Sequence, residues 1–176
     1  LDGFLVDLIM LSTTLMIGSF VGIKLLGMDK ETAIMVSAGA SICGAAAVVA
    51  TEPLVKAEAH KTAVAVGTVV LFGTLSMFAY PMVYRTGWIP MDENTFGVYI
   101  GATVHGVAHV VGAGEAVGEM AAQTSIIVKM TRVMLLAPTL IVIGAVLNRG
   151  KARADGTKTP LVIPWFALGF VATNPR

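Results

Sequence analysis

Charge is what this sequence has least of. Of 176 residues, 13% are Asp, Glu, Lys or Arg, while 56% are hydrophobic and the mean hydropathy is +0.81. A soluble domain carries about a quarter charged residues, so the deficit excludes an ordinary soluble domain and points to an integral membrane protein. The formal net charge of +1 gives none of the basic excess expected of a nucleic-acid binder. Cys43 is the one cysteine, which excludes an internal disulfide. It lies in an apolar, glycine-rich run and reads as a small buried residue; a reactive thiol would need an activating partner. Catalytic signatures are missing as well. There is no Gly-x-Ser-x-Gly, Walker loop, nicotinamide fingerprint or cysteine pair. An ATP-driven pump domain is thereby excluded, and neither an enzyme nor a cofactor is expected.

Long apolar runs are what the sequence does have. A spanning helix needs about 20 mostly apolar residues. Phe4–Leu26, Thr32–Ala50, Thr62–Tyr84, Phe96–Gly114 and Ser125–Leu147 meet or approach that length, and Pro160–Thr173 begins a sixth segment interrupted by Pro164. The fold expected is all-α: one polytopic transmembrane bundle over residues 1–176, with about five spans and a partial sixth. Asp29 is placed to cap the second helix. A break is expected near Thr51, followed by a short interfacial helix. Pro81 should kink or end the third span, and Tyr80, Tyr84 and Trp88 suit an aromatic belt at one membrane face. If every span crosses once, the loops at Gly27–Glu31, Arg85–Thr95 and Asn148–Thr159 share a side. Their basic residues place that side, with the Asn148–Thr159 loop, in the cytoplasm.

Two of these segments nearly repeat each other. Gly39-Ala40-Ser41-Ile42-Cys43-Gly44-Ala45-Ala46-Ala47-Val48-Val49 aligns with Gly101-Ala102-Thr103-Val104-His105-Gly106-Val107-Ala108-His109-Val110-Val111. Glycine-interrupted hydrophobic segments in matched positions point to the binding site of a secondary transporter. Helix breaks are therefore expected near Gly39–Gly44 and Gly101–Gly106, with Ser41 and Thr103 adding hydroxyls. Small residues at this spacing also let helices pack closely, so packing and site remain open alternatives.

Few ionisable groups lie inside the spans. His105 and His109, four apart, share a helical face. They read as packed or hydrogen-bonded side chains, as titrating groups on a transport path, or as two ligands too few for a closed metal site. Lys129 and Arg132 lie inside the fifth span. They either snorkel to the interface, pair with Glu115 and Glu119, or contact an anion. Asp7 reads as interfacial. Glu52, Lys56, Glu58, His60 and Lys61 read as a solvated amphipathic face.

Several stretches carry a family resemblance: Ser41–Ala47, Ala50-Thr51-Glu52-Pro53-Leu54-Val55-Lys56, Val69–Met77, Val128–Pro138 and Pro164-Trp165-Phe166. In this order they resemble the YeiH-type sulfate exporter family, over nearly the whole chain. The resemblance implies an uncharacterised multi-spanning transporter about twice this length, of which this chain would be a fragment lacking N-terminal helices. It also implies a distant likeness to the bile-acid symporter and cation/proton antiporter superfamily, whose broken helices cross near the midplane. The family pattern has Glu directly after the motif histidine and Gln three residues later; here those positions are Gly106 and His109. One span between the two motifs would leave them parallel, so an inverted repeat requires a re-entrant segment.

The function expected is export of a small anion, sulfate or a relative, by alternating access around the two breaks. Ser41, Gly44, Thr103, His105 and Gly106 would line the site, with positive potential from Lys129 and Arg132. His105 and His109 are the titrating candidates. The alternatives are an ion-coupled carrier of a neutral or cationic solute and a non-transporting membrane scaffold. The expected location is the inner membrane, and the expected partners are the bilayer, a small anion and optionally further copies of the chain.

Overall fold

A computed structural model describes residues 2–155, with side chains placed from 7 to 147. The expected sixth segment, including Pro164-Trp165-Phe166, and the end of the Asn148–Thr159 loop fall outside the described residues. Within them the chain is helical and has no strand. Helix α1 (Asp2–Phe20) continues into a π-helical turn, Val21–Leu25. There follow α2 (Lys30–Ser41), α3 (Ala45–Val55), α4 (Ala59–Arg85), α5 (Glu93–Thr103), α6 (Val107–Val117), α7 (Glu119–Met134) and α8 (Leu136–Asp155). The all-α membrane bundle is as expected, and both breaks fall on the glycine motifs.

Length divides the helices into two kinds. The segments Asp7–Leu25, Ala59–Arg85 and Glu119–Leu147 have 19, 27 and 29 residues and are long and apolar enough to cross a membrane. Helices α2, α3, α5 and α6 have 11 or 12 residues each. At 1.5 Å per residue each is about 17 Å long, about half of a ~30 Å hydrocarbon core.

The short helices pair into hairpins. Around the first break Ile42 N–H bonds to Ala38 O and Gly44 N–H to Gly39 O (2.9 Å), folding the chain back. Gly39 then lies so close to Val48 that a Cβ would stand 2.6 Å from its Cγ2. At the open end Lys30 and Glu31 share a surface recess with Leu54 and Val55. Gly44 makes the turn with φ +77, a conformation that a Cβ disfavours. In the second hairpin the ends meet at Glu93, whose Oε1 accepts the N–H groups of Met120 and Ala121 at 2.8 and 3.1 Å. Gly118 packs against the same carboxylate with no room for a Cβ. The second and fourth apolar segments are therefore re-entrant hairpins rather than single crossings. A helix whose backbone bonds stop in mid-membrane is tolerated only where protein or a wet cavity covers it; here α1 and α4 pack along the first hairpin, α4 and α7 along the second, and the tips cover each other.

The hairpins enter from opposite faces and meet tip to tip. A Cβ on Gly44 would lie 3.2 Å from the Gly106 Cα and 3.4 Å from the His105 carbonyl oxygen. Sixty-two residues separate Gly44 from Gly106, and contacts recur at that offset. Gly18 meets Ser37 in α2, and Tyr80 stacks on Tyr99 in α5 at 5.3 Å. Leu11 and Ala47 share a core cluster, as Gly73 meets His109. Thus α1–α3 and α4–α6 form an inverted repeat. Both hairpins begin with Asp-x-x-Thr: Asp29 accepts Thr32 N–H and Asp92 accepts Thr95 N–H, each at 3.1 Å. The expected cap at Asp29 is thus present, with an unexpected twin.

Several boundaries differ from expectation for local reasons. Helix α3 runs through Thr51 and Pro53 and stops at Lys56, whose φ of 56 ends it in the left-handed region. Thr51 instead donates to Ala47 O within the helix. Helix α4 continues through Pro81 to Arg85. The last span is notched at Leu135, whose N–H bonds to Arg132 O. Pro138, without an N–H, cannot continue the α-helical ladder of α7 but fits the first turn of α8.

The hairpin topology also re-sorts the loops. Lys24, Lys30, Lys56 and Lys61 share one face, to which α8 carries Arg149, Lys151 and Arg153; Lys61 pairs with Glu31 at 2.6 Å and Asp29 at 3.4 Å. Arg85 and the Arg85–Thr95 loop, expected beside them, lie on the opposite face with Glu115 and Glu119. Glu58 and His60 are exposed, as a solvated face requires.

Two predictions arise from this packing. A Cβ on Gly101 would stand 2.5 Å from the Ser125 carbonyl oxygen, so Gly101→Ala should destabilise the bundle by about 1–3 kcal/mol through overpacking. Thermal unfolding of the detergent-solubilised full-length protein checks this. The second concerns pH. Bonds from the Thr32 amide and hydroxyl hold Asp29 below the ordinary value of 3.8, and bonds from the Thr95 hydroxyl and amide do the same for Asp92. A depressed folded value stabilises fully above 3.8 and is lost as pH falls through it. The double variant Asp29→Asn/Asp92→Asn should retain caps and show a weaker fall in melting temperature between pH 5 and pH 3, a range set by ordinary carboxylate titration near ~4.

Candidate functional site at the hairpin tips

Four helix ends converge where the hairpins meet. Helices α3 and α6 begin there, at Gly44 and Gly106, and neither N-terminus has a side-chain cap. First-turn N–H groups lack intrahelical partners and, with the dipole, attract anions. The carbonyls ending α2 and α5 are largely occupied. Gly39 O accepts Gly44 N–H, Ala38 O accepts Ile42 N–H, and Ile100 O accepts Val104 N–H. Arg132 Nη1 donates to Ala102 O, and His105 Nδ1 lies 3.3 Å from Thr103 O. A carbonyl only accepts, so Nδ1 carries the His105 proton and Nε2 is left as an acceptor.

Of the nominated residues, Ser41 and Thr103 hold matching positions but turn inward. Ser41 Oγ donates to Ala38 O and Thr103 Oγ1 to Tyr99 O. Their protons are committed to the backbone, so they are poor donors to an anion. Arg132 is not paired with Glu115 or Glu119, neither of which is buried or bonded to it. Its Nη2 meets Asp7 Oδ1 at 3.0 Å. Asp7, expected at the interface, is buried, because α1 antiparallel to α2 brings it across to α7. Sequence reasoning missed this pair, whose members stand 125 residues apart; two lone intramembrane charges of opposite sign were its only signal.

Lys129 differs from Arg132. It is 0% exposed, and its Nζ has no hydrogen-bond partner among the described residues. Its position ten residues into α7 sets it about 15 Å from the hairpin base, level with the tips. It stands near Cys43 and His105, each beside a tip glycine. Asp7 pairs with Arg132, so Lys129 is the one buried basic side chain among these groups whose terminal nitrogen has no partner among the described residues. No group of three or more metal-type ligands exists among the described residues.

His109 stands one turn into α6. Its Nε2 lies 3.2 Å from Thr74 Oγ1 on α4, and its Nδ1 has no partner among the described residues. At the 62-residue offset His105 replaces Cys43 and His109 replaces Ala47. Both histidines thus break the internal symmetry on the same side.

This architecture defines a polytopic membrane protein with inverted re-entrant hairpins around a buried cationic centre. Residues 1–174 match the family model described as Conserved hypothetical protein 698, and the chain belongs to that family. It is 51% identical over 173 residues to a UPF0324 membrane protein of Bordetella bronchiseptica, covering 97% of this chain and 54% of the relative. To a UPF0324 membrane protein of Pseudomonas aeruginosa it is 51% identical over 177 residues, covering 97% and 50%. To the UPF0324 inner membrane protein YeiH of Escherichia coli K12 it is 48% identical over 171 residues, covering 97% and 49%. The chain spans about half the length of these relatives. No solved structure matches it.

Proposed function

We propose that the full-length protein is a secondary transporter, not an enzyme, and that it exports a small anion, sulfate or a related oxyanion, through the hairpin junction. The observation that carries this reading is Lys129, whose buried Nζ has no partner among the described residues and which stands level with the tips where two uncapped helix N-termini converge. An isolated buried charge is costly, and an anion would supply its counter-charge. The occupied carbonyls and the Asp7–Arg132 pair offer little to a cation, so an anion is favoured over the cationic or neutral solute. Hairpins entering from opposite faces also give each side of the membrane its own thin barrier, as alternating access requires.

The basic face, carrying Lys24, Lys30, Lys56, Lys61 and the α8 end, is assigned to the cytoplasm of the inner membrane by the excess of positive charge. Cysteines introduced at Lys30 and Lys56 should label from the same, cytoplasmic side, and one at Asp92 from the other. Labelling of positions 30 and 56 from opposite sides would overturn the hairpin topology. Function is tested by reconstituting the full-length protein in vesicles and measuring counterflow of sulfate, phosphate and small carboxylates beside cations and neutral solutes. Saturable anion counterflow supports the reading; flux confined to cations or neutral solutes, or none with any solute, rejects it.

A further inference from the structure

The bonds around His109 fix which nitrogen carries its proton. Thr74 has one hydroxyl proton, and Oγ1 donates it to Val70 O at 2.9 Å. In the 3.2 Å contact with His109 Nε2 the hydroxyl must therefore accept, so Nε2 bears the hydrogen. Nδ1 is then a lone-pair nitrogen, inaccessible to solvent and without a donor among the described residues. A slot of two glycines surrounds it: a Cβ on Gly73 or on Gly106 would stand 2.7 Å from Nδ1. Any side chain at either position would collide with this nitrogen, and Gly106 is itself a hairpin tip.

We infer that His109 Nδ1 is a proton-binding site at the hairpin junction, through which anion movement is coupled to proton movement. The coupling rests on the anion reading above; the proton site rests on the bonds just described. The step is a proton transfer alone. A hydronium from the water-facing side gives its proton to the Nδ1 lone pair, the neutral Nε2–H imidazole becomes imidazolium, and the proton returns to water on the opposite side.

The groups facing His109 suit this role. Gly73 and Thr74 on α4 are uncharged, as is Gly106 at the tip. The ionisable neighbours at the junction are His105 and Cys43 at the tips and Lys129 on α7. No hydrogen bond or ion pair joins His109 to a carboxylate among the described residues.

Two measurements on the full-length protein test this. In vesicles holding a pH dye, wild-type sulfate flux should rise several-fold under an imposed pH gradient, with proton movement in step. His109→Gln should retain sulfate counterflow but lose both responses. Retention of both by His109→Gln, loss of counterflow together with coupling, or wild-type flux without protons would overturn the coupling. Separately, the nitrogen NMR spectrum of labelled His109 should show an unprotonated Nδ1 at high pH that titrates as pH falls. A nitrogen protonated throughout, or one that never titrates, overturns the proton site. A wild-type protein that moves no anion while Nδ1 still titrates overturns the function proposed above and spares the proton site.

Discussion

Replacing Arg132 with alanine in the full-length protein is expected to lower its stability by about 3–5 kcal/mol, because a buried carboxylate loses its partner. Asp7 is inside the bundle, 3.0 Å from the Arg132 guanidinium, which is its one ion-pair partner among the described residues. The same substitution frees Ala102 O at the end of α5, which adds an unsatisfied acceptor to the cost. A double variant, Asp7→Leu with Arg132→Leu, should recover most of the loss, since well-packed apolar groups often replace a buried ion pair without penalty. Chemical unfolding in detergent decides it: an Arg132→Ala protein as stable as wild type would show that the pair contributes nothing. The two intramembrane cations are therefore expected to have different duties, with Arg132 the structural one.

Lys129→Met should produce the opposite pattern. Removing an unpartnered ammonium relieves the empty protein of a desolvated charge, so its melting temperature should rise. Anion binding should weaken, because truncating one side of a buried charge pair costs about 2–5 kcal/mol, equivalent to roughly 30-fold to several-thousand-fold in Kd. Sulfate-dependent thermal stabilisation and counterflow measure this. A variant that binds as tightly as wild type would remove Lys129 from the site.

Much of this molecule was legible in its residues. The charge deficit and apolar runs pointed to the bundle, and the paired glycine motifs located both helix breaks. What composition could not convey was direction. A glycine break looks the same whether the chain continues across the membrane or folds back, and a half-length helix next to another half-length helix reads as one span. The distinction lies in pairings such as Gly39 with Val48 and Glu93 with the start of α7, which are tertiary. The Asp-x-x-Thr caps at Asp29 and Asp92 were a sequence sign that each motif starts a unit of its own. Ser41 and Thr103 show a different limit: a hydroxyl inside an apolar helix bonds its own backbone as readily as a solute, and here both do.

Because the hairpin tips meet at mid-depth, the charge they surround also sits partway along the membrane's electrical drop. One elementary charge moved through the whole field gains about 2.3 kcal/mol per 100 mV. The α7 register that sets Lys129 level with the tips places its ammonium roughly half-way, where the same potential is worth about 1.2 kcal/mol. Under the function proposed above, an anion reaching this lysine from one side would cross about half of the drop, so a depolarised membrane and an energised one would give the junction different occupancy.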